Sequence, residues 1–343
     1  MSRATGPAPN MPALLLRPMS VGYGLAVAAR NWTFDAGLRR IARLDLRVVS
    51  VGNVVVGGSG KTPVTAWLAR RLLDAGRHPL IALRGYGAAD PSRSDEAMEY
   101  RRLLPAVPVA VGADRAAAIA RLRSAPGGAA ADIVLLDDGF QHRRIRRDLD
   151  IVLVDAGRSC LEGPGAALLP AGWLREPARA LARADAVVLT HADVADARLI
   201  EQIVRLHGRP PLARFTHVWR GVDRFEAGAS SAPSREPVEV LRGLRLATVL
   251  GVAQPQRVRA MLERAGATVV EDVPVRDHQA YDSALVQRIR ALAASCDGLL
   301  TTAKDWTKLV DHARELAVPV FVPALEVEAV EGGDALLGRV LPT

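Results

Sequence analysis

The stretch Val48 to Pro63, Val-Val-Ser-Val-Gly-Asn-Val-Val-Val-Gly-Gly-Ser-Gly-Lys-Thr-Pro, constrains this chain more than any other. A β-branched run enters a turn rich in glycine, and a helical pattern then begins with Val64, Trp67, Leu68, Leu72 and Leu73. Strand, glycine loop and helix in that order aim backbone N–H groups and the positive end of a helix at one point, which suits a phosphate. Lys61 adds a compact positive charge, and Thr62 a hydroxyl that can hold Mg²⁺. Gly57, Gly58, Ser59, Gly60, Lys61, Thr62 and Pro63 are therefore assigned to nucleotide binding. Val55 stands where the usual pattern opens with glycine, so the turn must fall on Gly57 and Gly58.

Lys61 gains weight from composition. Lysine occurs only at 61, 304 and 308, and arginine carries the rest of a net charge of +8. Scattered arginine therefore says little, whereas a lysine kept at the loop matches its need for a point charge rather than a planar fork. The positive balance fits a nucleotide, a phospholipid surface or a nucleic acid. The five Trp and four Tyr are not interleaved with basic residues, so no stacking platform for nucleic acid is expected. Cys160 and Cys296 lie far apart without metal-type spacing. They read as small buried hydrophobes in a reducing compartment.

From Met11 to Trp32 the chain is apolar but interrupted by Arg17-Pro18. No run reaches the roughly 20 residues that span a bilayer, and the split centre argues against a signal peptide. Two readings stay open. One is a helix packed on the core. The other is an interfacial helix, with Arg17, Arg30, Arg39, Arg40 and Arg43 near headgroups and Tyr23, Trp32 and Phe34 at the boundary.

The second strong signal is Ile133-Val-Leu-Leu-Asp-Asp-Gly-Phe-Gln-His142. A buried strand that ends in Asp137 and Asp138, downstream of a phosphate loop, supplies the carboxylates that hold Mg²⁺ or its water shell. Strand-like runs at 78–83, 107–111, 133–136, 149–154 and 186–190 alternate with helical patterns, which argues for a parallel sheet covered on both faces. Residues 226–240 read as a linker. The pattern then restarts with strands at 246–251, 268–270, 298–302 and 318–323 and helices at 255–265 and 284–295. The expected fold class is α/β: a P-loop NTPase-like parallel-sheet domain over 1–225, with a second, smaller α/β domain over 241–343.

A phosphate loop with metal carboxylates implies a nucleoside triphosphate. Three classes use one: a kinase acting on a hydroxyl, a GTPase or metallochaperone-type switch, and a nucleic-acid-dependent ATPase. Thr190-His191-Ala192-Asp193 lacks the Asn and Lys of a guanine reader, so adenine is preferred. A kinase also needs a group to accept the hydroxyl proton, for which Asp95, Asp114, His142 and His278 are candidates.

Five segments recur together in one family: Val-Gly-Asn-Val-Val-Val-Gly-Gly-Ser-Gly-Lys-Thr-Pro (51–63), Leu-Arg-Gly-Tyr-Gly (83–87), Asp-Asp-Gly-Phe-Gln-His (137–142), Leu-Leu-Pro-Ala-Gly-Trp-Leu-Arg-Glu-Pro (168–177) and Thr-Thr-Ala-Lys-Asp (301–305). With the apolar N-terminus, they resemble the tetraacyldisaccharide 4′-kinases over nearly the whole chain. The resemblance implies ATP- and Mg²⁺-dependent phosphorylation of the 4′-hydroxyl of an acylated glucosamine disaccharide 1-phosphate lipid. It implies a peripheral enzyme at the cytoplasmic face of the inner membrane. By position, Lys61 and Thr62 would serve the phosphates, Thr62, Asp137 and Asp138 the metal, and Arg115, Gln141, His142, Arg175 and Glu176 the substrate and phosphate region. Asp95 would be the base, assisted by His278. The segments Ser94–Ala97 and Val275–His278 match the family's pattern in part, and the loop between Gly87 and Asp95 is shortened.

Overall fold

The computed structural model describes residues 13–85, 90, 94–125, 130–158, 160–193, 196–228, 233–252, 254–275 and 281–341. The chain forms two compact units, Met1–His217 with Val327–Thr343, and Val218–Glu326.

The first unit opens with helix α1 (Ala13–Asp35) and is built on strand β1 (Arg47–Asn53), buried from Val48 onward. Successive side chains of a strand point to opposite faces, so Val49 and Val51 enter one core and Val48 another. Helix α2 (Lys61–Asp74), β2 (Pro79–Leu83), α3 (Asp95–Leu103), β3 (Val109–Val111) and α4 (Arg115–Ser124) follow. Then come β4 (Ile133–Asp137), β5 (Leu149–Asp155), β6 (Ala186–Thr190) and α5 (Ala197–His207). The strands run parallel in the order β6–β5–β1–β4–β2–β3. Apolar residues of α2 at 64, 68 and 72 share one core with Tyr100 of α3, whereas Ala118 and Ile119 of α4 belong to the core on the other side.

That order decides where the chemistry can sit. β4 lies beside β1 with Val51 opposite Asp137, and β5 flanks the other side with Asn53 opposite Leu153. In a parallel sheet the carboxyl ends collect at one edge, so the segments after β1, β4, β5 and β6 converge there.

Strand β7 (Ala213–Phe225) pairs with β6 through Ala213 and then carries the chain into the second unit. There β8 (Ser234–Glu236) runs antiparallel to it. β9 (Arg245–Leu250), α6 (Pro255–Arg264), β10 (Thr268–Pro274), α7 (Ser283–Ala293), β11 (Gly298–Thr301), α8 (Ala303–Leu309) and β12 (Val320–Glu331) complete a parallel sheet in the order β10–β9–β11–β12. β12 leads back to the first unit, where α9 (Gly333–Val340) buries Leu336 and Val340 in the core shared with α2.

Both ends of the expected linker and second domain therefore move. The Ala/Ser/Pro composition at 226–240 suggested a linker, yet Ser234–Glu236 joins a strand ladder, Arg235 pairs with Asp223 at 2.7 Å, and Leu241 is buried. The last residues belong to the first unit, where Arg47 donates to the carbonyls of Val340 and Arg339 at 2.8 Å each.

The N-terminal helix also differs from expectation. It runs through Arg17 and Pro18, although a proline in the second turn has no N–H to offer the Leu14 carbonyl. Its inward face carries Leu16, Ser20, Tyr23, Arg30, Asn31 and Phe34, and its outward face Met19, Val21, Leu25 and Trp32, each more than 60% exposed. Tyr23, Arg30 and Phe34 thus turn away from solvent rather than toward a headgroup layer.

Candidate active site

The loop after β1 turns on Gly57, at φ 107°, and Gly60, at φ 76°, a left-handed geometry that glycine adopts without a side-chain penalty. Gly60 is the N-cap of α2, which places Lys61, Thr62 and Pro63 in the first turn. N–H groups there lack helical partners, so Pro63 forfeits none. Two buried bonds hold the loop from below. Asn53 donates to the Ser59 hydroxyl at 2.7 Å, and Thr190 donates to the Ser59 carbonyl at 2.9 Å. Ser59 is 5% exposed, so its side chain braces the loop instead of facing a ligand.

Thr190 is thereby committed to the loop. Its neighbour His191 stacks on His217, with centroids 3.9 Å apart, and lies 3.3 Å from Asp155. Asp193 accepts from Thr216. The Thr190–Asp193 segment is a buttress in this fold.

Asp137 and Asp138 stand beside the loop, as the strand order requires. Asp138 adopts a left-handed backbone at φ 50°, which Asp tolerates better than most residues. Buried Arg115 donates to the Asp137 carbonyl at 3.2 Å and the Asp138 carbonyl at 3.5 Å, bracing that turn. At the next position, a Cβ on Gly139 would fall 2.7 Å from the Ser50 hydroxyl, so the turn closes only with glycine.

The two carboxylates have opposite electrostatics. Burial pushes Asp137 up to about 6, a rise that Lys61 opposes and Asp138 reinforces. The phenol of Tyr100, itself buried and raised well above its ordinary value, lies beside it. Burial also acts upward on Asp138, but Lys61 and Arg175 outweigh it and hold that carboxyl below its usual range. Lys61 Nζ is 3.6 Å from Asp138, and Arg175 Nη1 bridges both its oxygens at 2.8 and 2.7 Å. Arg175 arrives from a loop zipped onto the phosphate loop: Val56 donates to the Trp173 carbonyl and Arg175 to the Val54 carbonyl, each at 2.8 Å.

Beside this cluster lies a cavity of about 340 Å³. Asp138, Arg115, Gln141, His142, Arg175 and Glu176 line it, as do Arg84 at the end of β2 and Tyr23, Val27 and Arg30 of α1. Gln141 donates to the Asn53 carbonyl at 2.8 Å. Glu176 is 1% exposed, and its carboxylate is held by Asn31 at 2.9 Å and Arg183 at 2.8 Å, so it fastens α1 to the loop. Tyr23 donates to the Arg175 carbonyl at 3.0 Å, and Arg30 to the Gln141 carbonyl. Burial, then the charges of Arg115, Arg144, Arg147 and Arg30, push His142 down to about 4, so its ring is neutral at physiological pH.

The structure thus gathers the phosphate-loop residues, both aspartates, Arg115, Gln141, His142, Arg175 and Glu176 into one place. Asp95 is not in the cavity lining among the described residues. It sits in the first turn of α3, half-buried, on the helix that brings Tyr100 to Asp137. His278 lies outside the described residues. Asp305 of the Thr-Thr-Ala-Lys-Asp segment is 2% exposed and accepts from the Gly251 N–H at 2.9 Å and the Thr302 hydroxyl at 2.7 Å. That motif fastens the end of β9 to the start of α8.

Sequence reasoning missed the inward face of α1 as cavity wall. Its signal was the spacing 16, 20, 23, 27, 30 and 34, one helical stripe, but polar residues within the stripe disguised it.

Thr62, Asp137 and Asp138 form a set of hard oxygen donors at the cradle. Among the described residues no group of three or more His, Cys, Asp or Glu could hold a metal by itself.

Comparison with known proteins shows what the whole chain is similar to. The family profile described as "Tetraacyldisaccharide-1-P 4'-kinase" matches residues 12–341. A tetraacyldisaccharide 4′-kinase of Geobacter sulfurreducens is 35% identical over 350 residues, spanning 96% of this chain and 93% of that protein. One of Aromatoleum aromaticum is 39% identical over 288 residues, 80% of each. The crystal structure of LpxK from Aquifex aeolicus in complex with ATP superposes with a TM-score of 0.70 at 28% identity, covering 96% of this chain and 98% of the other.

Proposed function

The chain belongs to the tetraacyldisaccharide-1-P 4′-kinase family, and from that premise we propose how its site carries out the reaction. The enzyme transfers the γ-phosphoryl group of ATP to the 4′-hydroxyl of an acylated disaccharide 1-phosphate. The O–P bond to ADP breaks, a new bond forms at the 4′-oxygen, and the hydroxyl proton passes to a base. The observation that carries this reading is the shared position of Asp138. It contacts Lys61 of the phosphate loop on one side and lines the 340 Å³ cavity on the other.

Gly57–Thr62 wraps the phosphates with backbone N–H groups and the Lys61 ammonium, while Arg175 and Arg115 add positive charge where the transferring group is most negative. The cavity walled by α1 receives the sugar, with Gln141 and neutral His142 as uncharged partners for its hydroxyls. Asp95 is assigned the acceptor proton, with His278 assisting. This assignment draws on the position of Asp95 at the head of the helix that reaches Asp137.

The donor set fits Mg²⁺, which prefers hard oxygens and completes its shell with water and substrate phosphates rather than a protein cage. Thr62, Asp137 and Asp138 would hold it. Burial that pushes Asp137 up to about 6 is what a nearby dication would reverse. When bound, Mg²⁺ neutralises charge on the β- and γ-phosphates.

We further place the enzyme on the surface of the inner membrane, at its cytoplasmic face. No described helix is long and apolar enough to cross a bilayer. The outward face of α1 instead presents Met19, Val21, Leu25 and Trp32 to solvent, with exposed Arg17 and Arg43 as flanking cations. An apolar stripe with flanking arginine suits shallow insertion, and a four-chain acceptor must be met at such a surface.

The reading is tested with γ-labelled ATP and a detergent-dispersed tetraacyldisaccharide 1-phosphate, with GTP hydrolysis as the control. Label in the lipid without GTPase activity supports it. GTP hydrolysis with unlabelled lipid would replace it with a switch.

A further inference from the structure

Tyr100 is fully buried on α3, in the core that also holds Leu68 and Leu72 of α2 and Leu104 and Val107 beyond α3. An aliphatic side chain could fill that position without taking a hydroxyl out of water, a transfer that costs free energy unless a new hydrogen bond replaces the lost one. The Tyr100 hydroxyl meets polar groups there, Thr62 and Thr65 of α2 and Asp137 at the end of β4. Its geometry completes a hydrogen bond with none of them among the described residues, and the equally buried Thr65 hydroxyl is left in the same condition. Buried polar atoms of this kind are rare in folded proteins, and each calls for an explanation.

The surroundings supply one. Thr62 and Thr65 are neighbours on the surface of α2, three residues apart, and Thr62 lies in the first turn beside Lys61. The Asp137 carboxylate is steadied from its own turn, where Oδ1 accepts the Asp138 N–H at 2.9 Å. Its backbone is steadied by Arg115, which donates to the Asp137 carbonyl at 3.2 Å. Tyr100 approaches the same carboxylate from a third element, α3. A carboxylate constrained from separate elements keeps one orientation. Mg²⁺ needs that, because it demands near-ideal octahedral geometry. Groups that orient metal ligands from behind commonly set the affinity of the site.

We infer that Tyr100 is a positioning residue of the phosphate site, its hydroxyl orienting the Asp137 carboxylate and the Thr62 hydroxyl toward the divalent cation. The inference rests on the kinase reading, which assigns Thr62 and Asp137 to the metal. Tyr100 acts through those two residues and not on the reacting groups. Phenylalanine keeps the ring in the core and removes only the hydroxyl, so Tyr100→Phe separates orientation from packing.

The test is Mn²⁺ titration of the intact chain with a non-hydrolysable ATP analogue, followed by the free-ion signal in electron paramagnetic resonance, beside thermal melts in EDTA. Tyr100→Phe should raise the apparent dissociation constant for Mn²⁺ about 10- to 100-fold, with the affinity for the analogue in EDTA unchanged. Its metal-free Tm should stay level or rise, because the variant no longer buries an unpartnered hydroxyl. An unchanged Mn²⁺ constant overturns the inference and leaves Tyr100 as core filling. A weaker Mn²⁺ constant with a lowered metal-free Tm overturns it as well, since loosened packing would then account for the loss. Phosphoryl transfer from labelled ATP to the lipid acceptor is measured separately on the wild type. Its absence would strike the kinase reading, while the Mn²⁺ constant still decides the role of Tyr100.

Discussion

Arg175 and Asp138 are joined by a single guanidinium nitrogen, Nη1, that sits 2.8 and 2.7 Å from the two carboxylate oxygens. The contact matters because of what each residue also touches. Asp138 lies 3.6 Å from Lys61, and Arg175 is held to the phosphate-loop strand through its own backbone N–H. One contact therefore ties the donor cradle to the wall of the acceptor cavity.

Replacing Arg175 with Ala should lower kcat by about 10² to 10³, the scale for removing one preorganised electrostatic group. KM for ATP should change little, because the loop's N–H groups and Lys61 remain. Lys at this position should recover only part of the loss, since an ammonium lacks the fixed fork geometry. Steady-state kinetics of the two variants decide it, and equal effects on kcat and on KM for ATP would contradict the assignment.

Asp95→Asn should lower kcat by about 10² to 10⁴ with substrate affinities preserved, as for a general base. His278→Ala is expected to act in the same direction. Near-normal turnover in either variant removes that residue from proton transfer.

His142 makes a prediction about stability. Burial first, and then Arg115 on α4, Arg30 on α1, and Arg144 and Arg147 nearby, depress its folded-state pKa to about 4 from 6.5. Between those values the unfolded chain binds the extra proton, so stability rises with pH across the window and is lost as pH falls from 6.5 toward 4. Thermal melts should show a shallower acid loss in His142→Asn than in the wild type over this range. Parallel slopes would show that the imidazole does not titrate as its surroundings require.

The outward face of α1 should matter to membranes and not to folding. Leu25 is 67% exposed and Trp32 61%, so Leu25→Ser/Trp32→Ala should leave Tm almost unchanged, as surface substitutions do. Burying a large apolar side chain contributes about 1.5 kcal/mol or more. Partition onto vesicles should therefore fall at least tenfold. Unchanged partition would return that face to a purely structural role.

The parts legible in the sequence were those whose signal is local. β1, the glycine turn and α2 are contiguous, and Asp137 ends an unbroken apolar strand, so periodicity and residue type sufficed. What escaped depends on partners distant in the chain. Ser20, Tyr23 and Asn31 look like interruptions of an apolar helix until Leu168, Arg175 and Glu176 supply their hydrogen bonds from about 150 positions away. The expected linker misled because Ser and Arg at 234–235 carry little strand propensity. Pairing with β7 overrides it. Glu176, expected in the substrate region, lines the cavity, yet Asn31 and Arg183 engage its carboxylate. Sequence position could not distinguish a wall from a contact.

The central claim is that the cradle at Gly57–Thr62 and the cavity beside α1 are the donor and acceptor halves of one site. The most direct measurement is ³¹P–¹H correlation NMR of the lipid recovered after incubation with ATP, for the wild type and Lys61→Ala. The account predicts a new phosphate coupled to the proton at the 4′-carbon in the wild-type product and its near absence with Lys61→Ala. A phosphate at any other carbon, or an undiminished 4′ signal from Lys61→Ala, would contradict it.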